Sequence, residues 1–501
     1  MNSSPTATAA TVSAAAPSAL EALIARRIDF PTWLPAMLVK ELRQGLRQRG
    51  FVGALLGFQV VMTIFLAFAV AGGTGSASFN TLQGAYWLVI SVQLLVLIPA
   101  RALTGLQSEL DSRWVDLLLL TRLTPWRVVL SKWVSLLVQA ALLLVAMLPY
   151  GVARYFFGSV DLVEEAQRLA MLFAASGMLT AIALWCSALP KIARAMLVVP
   201  VIAAFMAIPD ALDYVVNMGA RSPIMAASRS GAQPVWLLIF NLLLLLVLCL
   251  TGAVRRLAPA AESQTLLTRA LPLLGFLPLP FLALQDARWQ LDSALALFVF
   301  VAALELGRQE EPLESHWLAW SRRGLAGRLV GRLVQPGWAS ALEWLLVVFA
   351  VWGVVSAFLV NALPVAANFT ALANWRLTTL PLFAAAALLF PVLLFSWLGR
   401  HFTHRLVGYL IVFLGMTALS LVATGLASSA STLNLGDRIL MLLPVGSFWT
   451  TIAAKVIPPQ PIPVLQVVIA VAVIAGVWWR ARPYRLQRRV FETASTEAPP
   501  A

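Results

Sequence analysis

The sequence predicts an all-α polytopic membrane protein of about twelve transmembrane helices. Three observations carry this. Hydrophobic residues make up 60% of the 501 positions and charged residues only 12%, with a mean hydropathy of +0.85, too little polar surface to clothe a soluble globule. Apolar runs of about 20 residues recur along the chain, each long enough to cross a hydrocarbon layer about 30 Å thick. The cations gather in short segments beside those runs, as the positive-inside rule expects.

Before the first run, the Ala/Ser/Thr-rich residues 1–36 lack the basic start and apolar core of a secretory signal and read as a disordered cytoplasmic tail. The stretch MLVKELRQGLRQRG follows. Leu38, Leu42 and Leu46 recur every four residues, while Lys40, Arg43, Arg47 and Arg49 face elsewhere. That pattern predicts an interfacial basic helix able to lie against anionic lipid heads.

Six spans are expected near Phe51–Ala71, Ala85–Leu103, Val134–Phe156, Leu169–Leu189, Ala195–Leu212 and Val235–Val254. Six more fall near Ala270–Leu284, Leu291–Leu306, Ala339–Asn361, Leu377–Leu398, Leu406–Leu426 and Val464–Trp479. The seventh and eighth are short and interrupted by prolines. Ile439–Ala454, with Pro444 and Gly446, reads as an interfacial or re-entrant piece. The longest cytoplasmic connection, Gly307 to Trp338, divides the spans into two halves. The expected units are a six-span region at 37–255, a second at 256–480 and a basic cytoplasmic tail at 481–501. With both termini inside the cytoplasmic membrane, 28 of the 36 Lys and Arg fall in cytoplasmic segments and 8 outside, which supports that orientation. A thirteenth span would place the basic C-terminal tail outside.

Leu106 to Trp133 is the most distinctive stretch. It holds seven charged residues between two spans: Glu109, Asp111, Arg113, Asp116, Arg122, Arg127 and Lys132. On a helix, Glu109, Ser112, Arg113 and Asp116 share one face, and Leu110, Trp114, Leu117 and Leu118 share the other. Such a segment is too polar to cross a bilayer and too apolar to float free, so it is expected at the membrane surface with its charged face offered to a protein.

Several classes of function find no residues to carry them. There is no G-x-x-x-x-G-K-[ST], hence no P-loop. Cys186 and Cys249 sit in apolar segments and read as small buried hydrophobes. The three histidines are His316, His401 and His404, and the last two stand beside Arg400 and Arg405, a poor setting for a metal. Neither a catalytic set nor a cofactor site emerges, and the distribution of the +14 net charge argues against nucleic acid. Glu305 and Glu343 lie near span ends, and the span interiors hold few acids to couple transport to protons or sodium.

The order of surface helix, two spans, charged amphipathic segment and further spans resembles the membrane-spanning permeases of type-2 ABC exporters. The likeness runs through Ser108-Glu109, Asp111, Leu117 to Leu120, Thr121, Leu123-Thr124-Pro125, Ser131-Lys132, Leu148-Pro149 and Phe157-Gly158. It covers Leu38 to Gly158 best. Trp114, Arg122 and Ser131 depart from the family pattern. The later pieces Arg255 to Pro259 and Gln335 to Trp338 are less specific. The resemblance implies that Glu109, Asp111, Arg113, Asp116 and Thr121 belong to a cytoplasmic coupling helix that docks on a separate P-loop ATPase, driving export. A homo- or hetero-dimer of permeases fits the same pattern. A secondary transporter or flippase, or a non-transporting membrane anchor, are the alternatives. The substrate is not encoded in any motif.

Overall fold

The computed structural model describes residues 35–71, 76–106, 124–157, 162–189, 235–258, 264–278, 284–307, 324–362, 367–398, 405–429, 442–453 and 462–497. These residues form helices and turns, with no strand among them. In chain order the helices are α1 (Ala36–Arg47), α2 (Arg49–Ala71), α3 (Ser76–Ser91), α4 (Ile98–Ala102), α5 (Pro125–Phe157), α6 (Leu162–Ser187), α7 (Val235–Leu257) and α8 (Thr265–Leu274). They continue as α9 (Leu284–Leu306), α10 (Gly324–Val334), α11 (Trp338–Ala362), α12 (Ala367–Leu398), α13 (Arg405–Ser429), α14 (Pro444–Ala453), α15 (Ile462–Arg480) and α16 (Arg482–Glu497). A π-helical stretch, Val92–Leu97, joins α3 to α4 without a break in the rod.

Among the described residues, seven helices are long and apolar enough to cross a membrane: Arg49–Ala71, Leu82–Ala102, Pro125–Phe156, Glu165–Ser187, Ile239–Leu257, Trp338–Val355 and Ile462–Arg480. The chain is therefore a multi-pass helical membrane protein. Helix α2 shows what a lipid-facing span looks like. Its 23 residues rise about 34 Å, and Val52, Leu56, Val60, Ile64 and Phe68 form an exposed apolar stripe. In water such a stripe would be an aggregation hazard, whereas in hydrocarbon it is the natural surface.

The expected seventh span takes a different form. The helix there begins earlier, at Thr265, and stops at Leu274 after 10 residues, a rise of about 15 Å that covers only half a bilayer. Pro272 lies in its last turn, removing a donor and opposing continuation of the helix. The fifth expected span, Ala195–Leu212, lies outside the described residues. Within the Ile439–Ala454 region the described helix is the 10-residue α14, packed on α12 and α13, which rises about 15 Å. The basic C-terminal stretch is helical through Glu497.

Two helices organise the packing. In the first half α6 lies between α4, α5 and α7. In the second half α12 is enclosed by α9, α11, α13, α14 and α15. From Phe383 to Leu389 every side chain of α12 is buried, the pattern of a helix surrounded on all sides. Four of those residues are consecutive alanines, Ala384 to Ala387, and small side chains let neighbouring backbones come close. Gly408 of α13 lies against the Phe395 ring of α12, and Gly476 of α15 against Leu393. Pro391 deprives α12 of one internal hydrogen bond, and in the disturbed turn Tyr409 donates to the Leu388 carbonyl at 3.0 Å. The halves meet through one continuous core, with Trp185 of α6 edge-on to Phe300 of α9.

Candidate functional site

The contacts between helices define one strongly basic end of the bundle. The C-terminal ends of α4, α6, α7, α9, α10 and α15 meet there with the N-terminal ends of α5, α11 and α13. At the opposite end, the described cations that interact across helices are Arg154 and Arg168. Arg154 is buried and pairs with Glu165 at 2.7 Å. Its guanidinium lies 4.3 Å from the Tyr86 ring centre, and Arg168 approaches Trp87 at 5.9 Å.

At the basic end α1 is clamped to two helices at once. Its buried residues are Met37, Leu38, Leu42 and Gly45, and they pack on α5. The leucine stripe legible in the sequence is thus covered by protein. Gly45 sits where a side chain would strike Gln139. Lys132 of α5 pairs with Glu41 of α1 at 3.2 Å, both nearly buried. From α4, Arg101 donates to the Gly45 carbonyl at 3.2 Å and to Gln48 Oε1 at 2.6 Å. The Gly45 carbonyl also accepts the Gln48 amide at 3.4 Å where α1 ends, so Arg101 adds a second donor at the C-terminal end of that helix. The Arg101 guanidinium also lies 5.1 Å from the Phe51 ring centre. Lys40, Arg43, Arg47 and Arg49 are all exposed.

Helices α4 and α5 are the ones that lead into and out of the charged segment. On the entry side, the Leu106 amide donates to Ser187 Oγ at 3.3 Å, and Ser187 in turn donates to the Leu184 carbonyl. On the exit side, the Thr124 carbonyl accepts the Arg127 amide at 2.9 Å as α5 begins. Glu109, Asp111, Arg113, Asp116 and Thr121 lie between these anchors, outside the described residues.

A second cluster joins the halves. Glu305, at the end of α9, accepts from Arg255 of α7 and from Arg269 of α8 through both Nε at 3.2 Å and Nη2 at 3.0 Å. All three side chains are at most 6% exposed. Arg269 also donates to the Leu333 carbonyl at the end of α10, to Gly337 O at 3.3 Å and to Ser340 Oγ at 2.8 Å. The turn from α10 to α11 depends on Gly337, whose φ of 112° suits a residue without a Cβ. Further along α11, Glu343 is held by Arg488 of α16 at 2.8 and 2.9 Å. Arg405 lies 4.5 Å from the Trp338 ring centre, and Trp338 packs edge-on to Tyr484.

The interior of the first half carries a polar seam. Where the backbone switches to π geometry, its carbonyls lose their usual α-helical partners, and Ser176 of α6 donates to the Leu94 carbonyl at 2.6 Å. Trp87 Nε1, Ser91 Oγ, Gln93 Nε2 and Gln139 Oε1 are buried without a hydrogen-bond partner. These groups are hydrogen-bonding rather than charged. Among the described residues, no group of three His, Cys, Asp or Glu side chains is placed to hold a metal.

Sequence reading located Glu305 and Glu343 near span ends but not their partners, and it missed the Glu41–Lys132 and Arg101 clamps. The available signal was an acid beside a span end facing nearby basic flanks, too common a pattern to choose the pair. Comparison with known protein families, characterised proteins and solved structures gives no significant match.

Proposed function

We propose that this chain is the membrane-spanning permease of an ATP-driven exporter whose ATPase is a separate polypeptide. The observation that carries the reading is the double clamp on α1. Glu41 and the carbonyl end of α1 are held by α5 and α4, the two helices that bracket the charged 107–123 segment. A force delivered to that segment would move both helices and α1 together, because packed protein transmits displacement rather than absorbing it. In this reading the basic end faces the cytoplasm by the positive-inside rule. Glu109, Asp111, Arg113, Asp116 and Thr121 form the coupling helix, and Lys40, Arg43, Arg47 and Arg49 face anionic lipid heads. The polar seam in the first half suits a path for polar groups of a substrate. The order of motifs from Leu38 to Gly158 supports the same assignment, and two permeases can pair to complete one exporter.

The test is purification of the full chain in mild detergent with identification of co-purifying proteins. A stoichiometric P-loop ATPase that is lost on the double charge reversal Glu109→Lys and Asp116→Lys is expected, with insertion unchanged. Retention of the ATPase in that double variant would refute the coupling assignment. A chain that never brings down an ATPase would favour a secondary transporter or flippase.

A further inference from the structure

Helix α16 continues the two-faced pattern of the span before it. The Ala481 amide donates to the Val477 carbonyl at 3.0 Å and the Arg485 amide to the Ala481 carbonyl at 3.2 Å. The helical turn therefore runs across the joint at Ala481, and side-chain faces stay in phase. Gln466, Ala470, Val473 and Val477 are the buried side of α15, and buried Ala481 and Arg488 carry that side into α16. On the other side Val468 and Trp479 of α15 are exposed, and Leu486 and Val490 follow at the same helical phase, 48% and 68% exposed. The lipid-facing stripe of a span thus extends about 16 Å past Trp479.

Two further observations say what meets that extension. Tyr484 packs edge-on to Trp338 with ring centres 5.4 Å apart, and Arg488 pairs with Glu343 at 2.8 Å. Trp338 and Glu343 lie in the first two turns of a membrane-length helix, so α16 sits beside the end of that span rather than beyond it. The stripe is also edged with cations. Arg480 and Arg482 are exposed, Arg482 lies 5.3 Å from the Trp479 ring centre, and the first acid after them in the chain is Glu492. Exposed Trp478 and Trp479 stand where amphipathic rings settle, at the boundary of hydrocarbon and headgroups.

We propose that α16 is an interfacial anchor whose outward face, Leu486 and Val490, rests in the headgroup layer of an anionic leaflet, with Arg480 and Arg482 on lipid phosphates. An apolar stripe continuous with a lipid-facing one, level with the span ends and bordered by cations, is what an anionic bilayer surface recognises. A soluble partner would have to reach the same stripe through the headgroups. This inference is independent of the exporter reading.

The test uses the full chain, spin-labelled through Leu486→Cys or Gln487→Cys, in vesicles of phosphatidylcholine alone or mixed equally with phosphatidylglycerol. Cys186 and Cys249 are buried, and the chain without an introduced cysteine gives the blank. Collision with oxygen, which concentrates in hydrocarbon, and with a water-soluble nickel chelate reads the depth of each label. With phosphatidylglycerol present, the Leu486→Cys label is expected to be open to oxygen and shielded from nickel. The Gln487→Cys label, off the stripe, is expected to be open to nickel. Arg480→Gln combined with Arg482→Gln should lower the seated-to-free ratio about fivefold for each arginine. Added salt should lower it in the chain that keeps both arginines, which decides the matter should the double variant fail to fold. A Leu486→Cys label shielded from both reagents means a protein cover and overturns the proposal. So does a label there as open to nickel as at Gln487→Cys, or a depth equal in the two vesicle types and indifferent to salt.

Discussion

Replacing Glu305 with Gln should be among the most damaging single changes in this chain. Arg255 and Arg269 share this carboxylate, and the three side chains are 3–6% exposed. In the substituted protein both guanidinium groups would lose the carboxylate they share. Removing one partner of a buried ion pair costs about 3–5 kcal/mol, mostly the penalty of stranding the other charge. That corresponds to a fall in the folded-to-unfolded ratio of about two to three and a half powers of ten. The charge arithmetic makes the prediction specific. Glu305→Gln takes the cluster from +1 to +2, Arg255→Gln takes it to 0, and the double variant returns it to +1. The expected order of loss is therefore Arg255→Gln least, the double variant intermediate and Glu305→Gln greatest. Monodisperse yield by size exclusion, together with the unfolding midpoint in one detergent, reads this order. A Glu305→Gln protein as stable as Arg255→Gln would refute the view that uncompensated buried charge governs this junction.

Gly408→Ala should cost about 1–3 kcal/mol, since the added methyl must displace the Phe395 ring in the core around α12. A lowered unfolding midpoint with unchanged helical content by circular dichroism is the expected result. Lys132→Met should loosen α1, because it leaves Glu41 without its ion-pair partner. A cysteine placed at buried Met37 should then react faster with a water-soluble maleimide than in the parent protein. Glu343→Gln removes the carboxylate that holds both contacts of Arg488 Nη2, so α16 should detach more readily. Limited trypsin cleavage within 482–489 should accelerate while the span region stays intact, and an unchanged cleavage rate would mean that α16 is held by other contacts.

Much of the architecture was legible in the amino-acid order. The apolar runs marked the seven membrane-length helices, though α5 begins at Pro125, nine residues before the expected Val134. The four-residue leucine spacing coincides with a helix, α1, whose stripe packs on α5, with Lys40, Arg43, Arg47 and Arg49 exposed on or beside it. Local chemistry suffices for such features, because helix periodicity and span length are properties of contiguous residues. The same reading extended the seventh run too far, since hydropathy does not register a helix that ends at Leu274 in a turn weakened by Pro272.

Tertiary structure alone decided what each apolar face meets. Leucine and alanine look alike in sequence whether they touch lipid or protein, because lipid tails and helix interiors are equally apolar. So α2 with its exposed stripe and α12 with its buried alanines could be told apart only once the helices were assembled. The same holds for the charges. Glu41 finds Lys132, Glu305 finds Arg255 and Arg269, and Glu343 finds Arg488 across stretches of chain in which many other cations stand. Composition placed those groups at one end of the bundle. Burial, which makes an unpaired charge costly and a shared carboxylate decisive, came only from the packing.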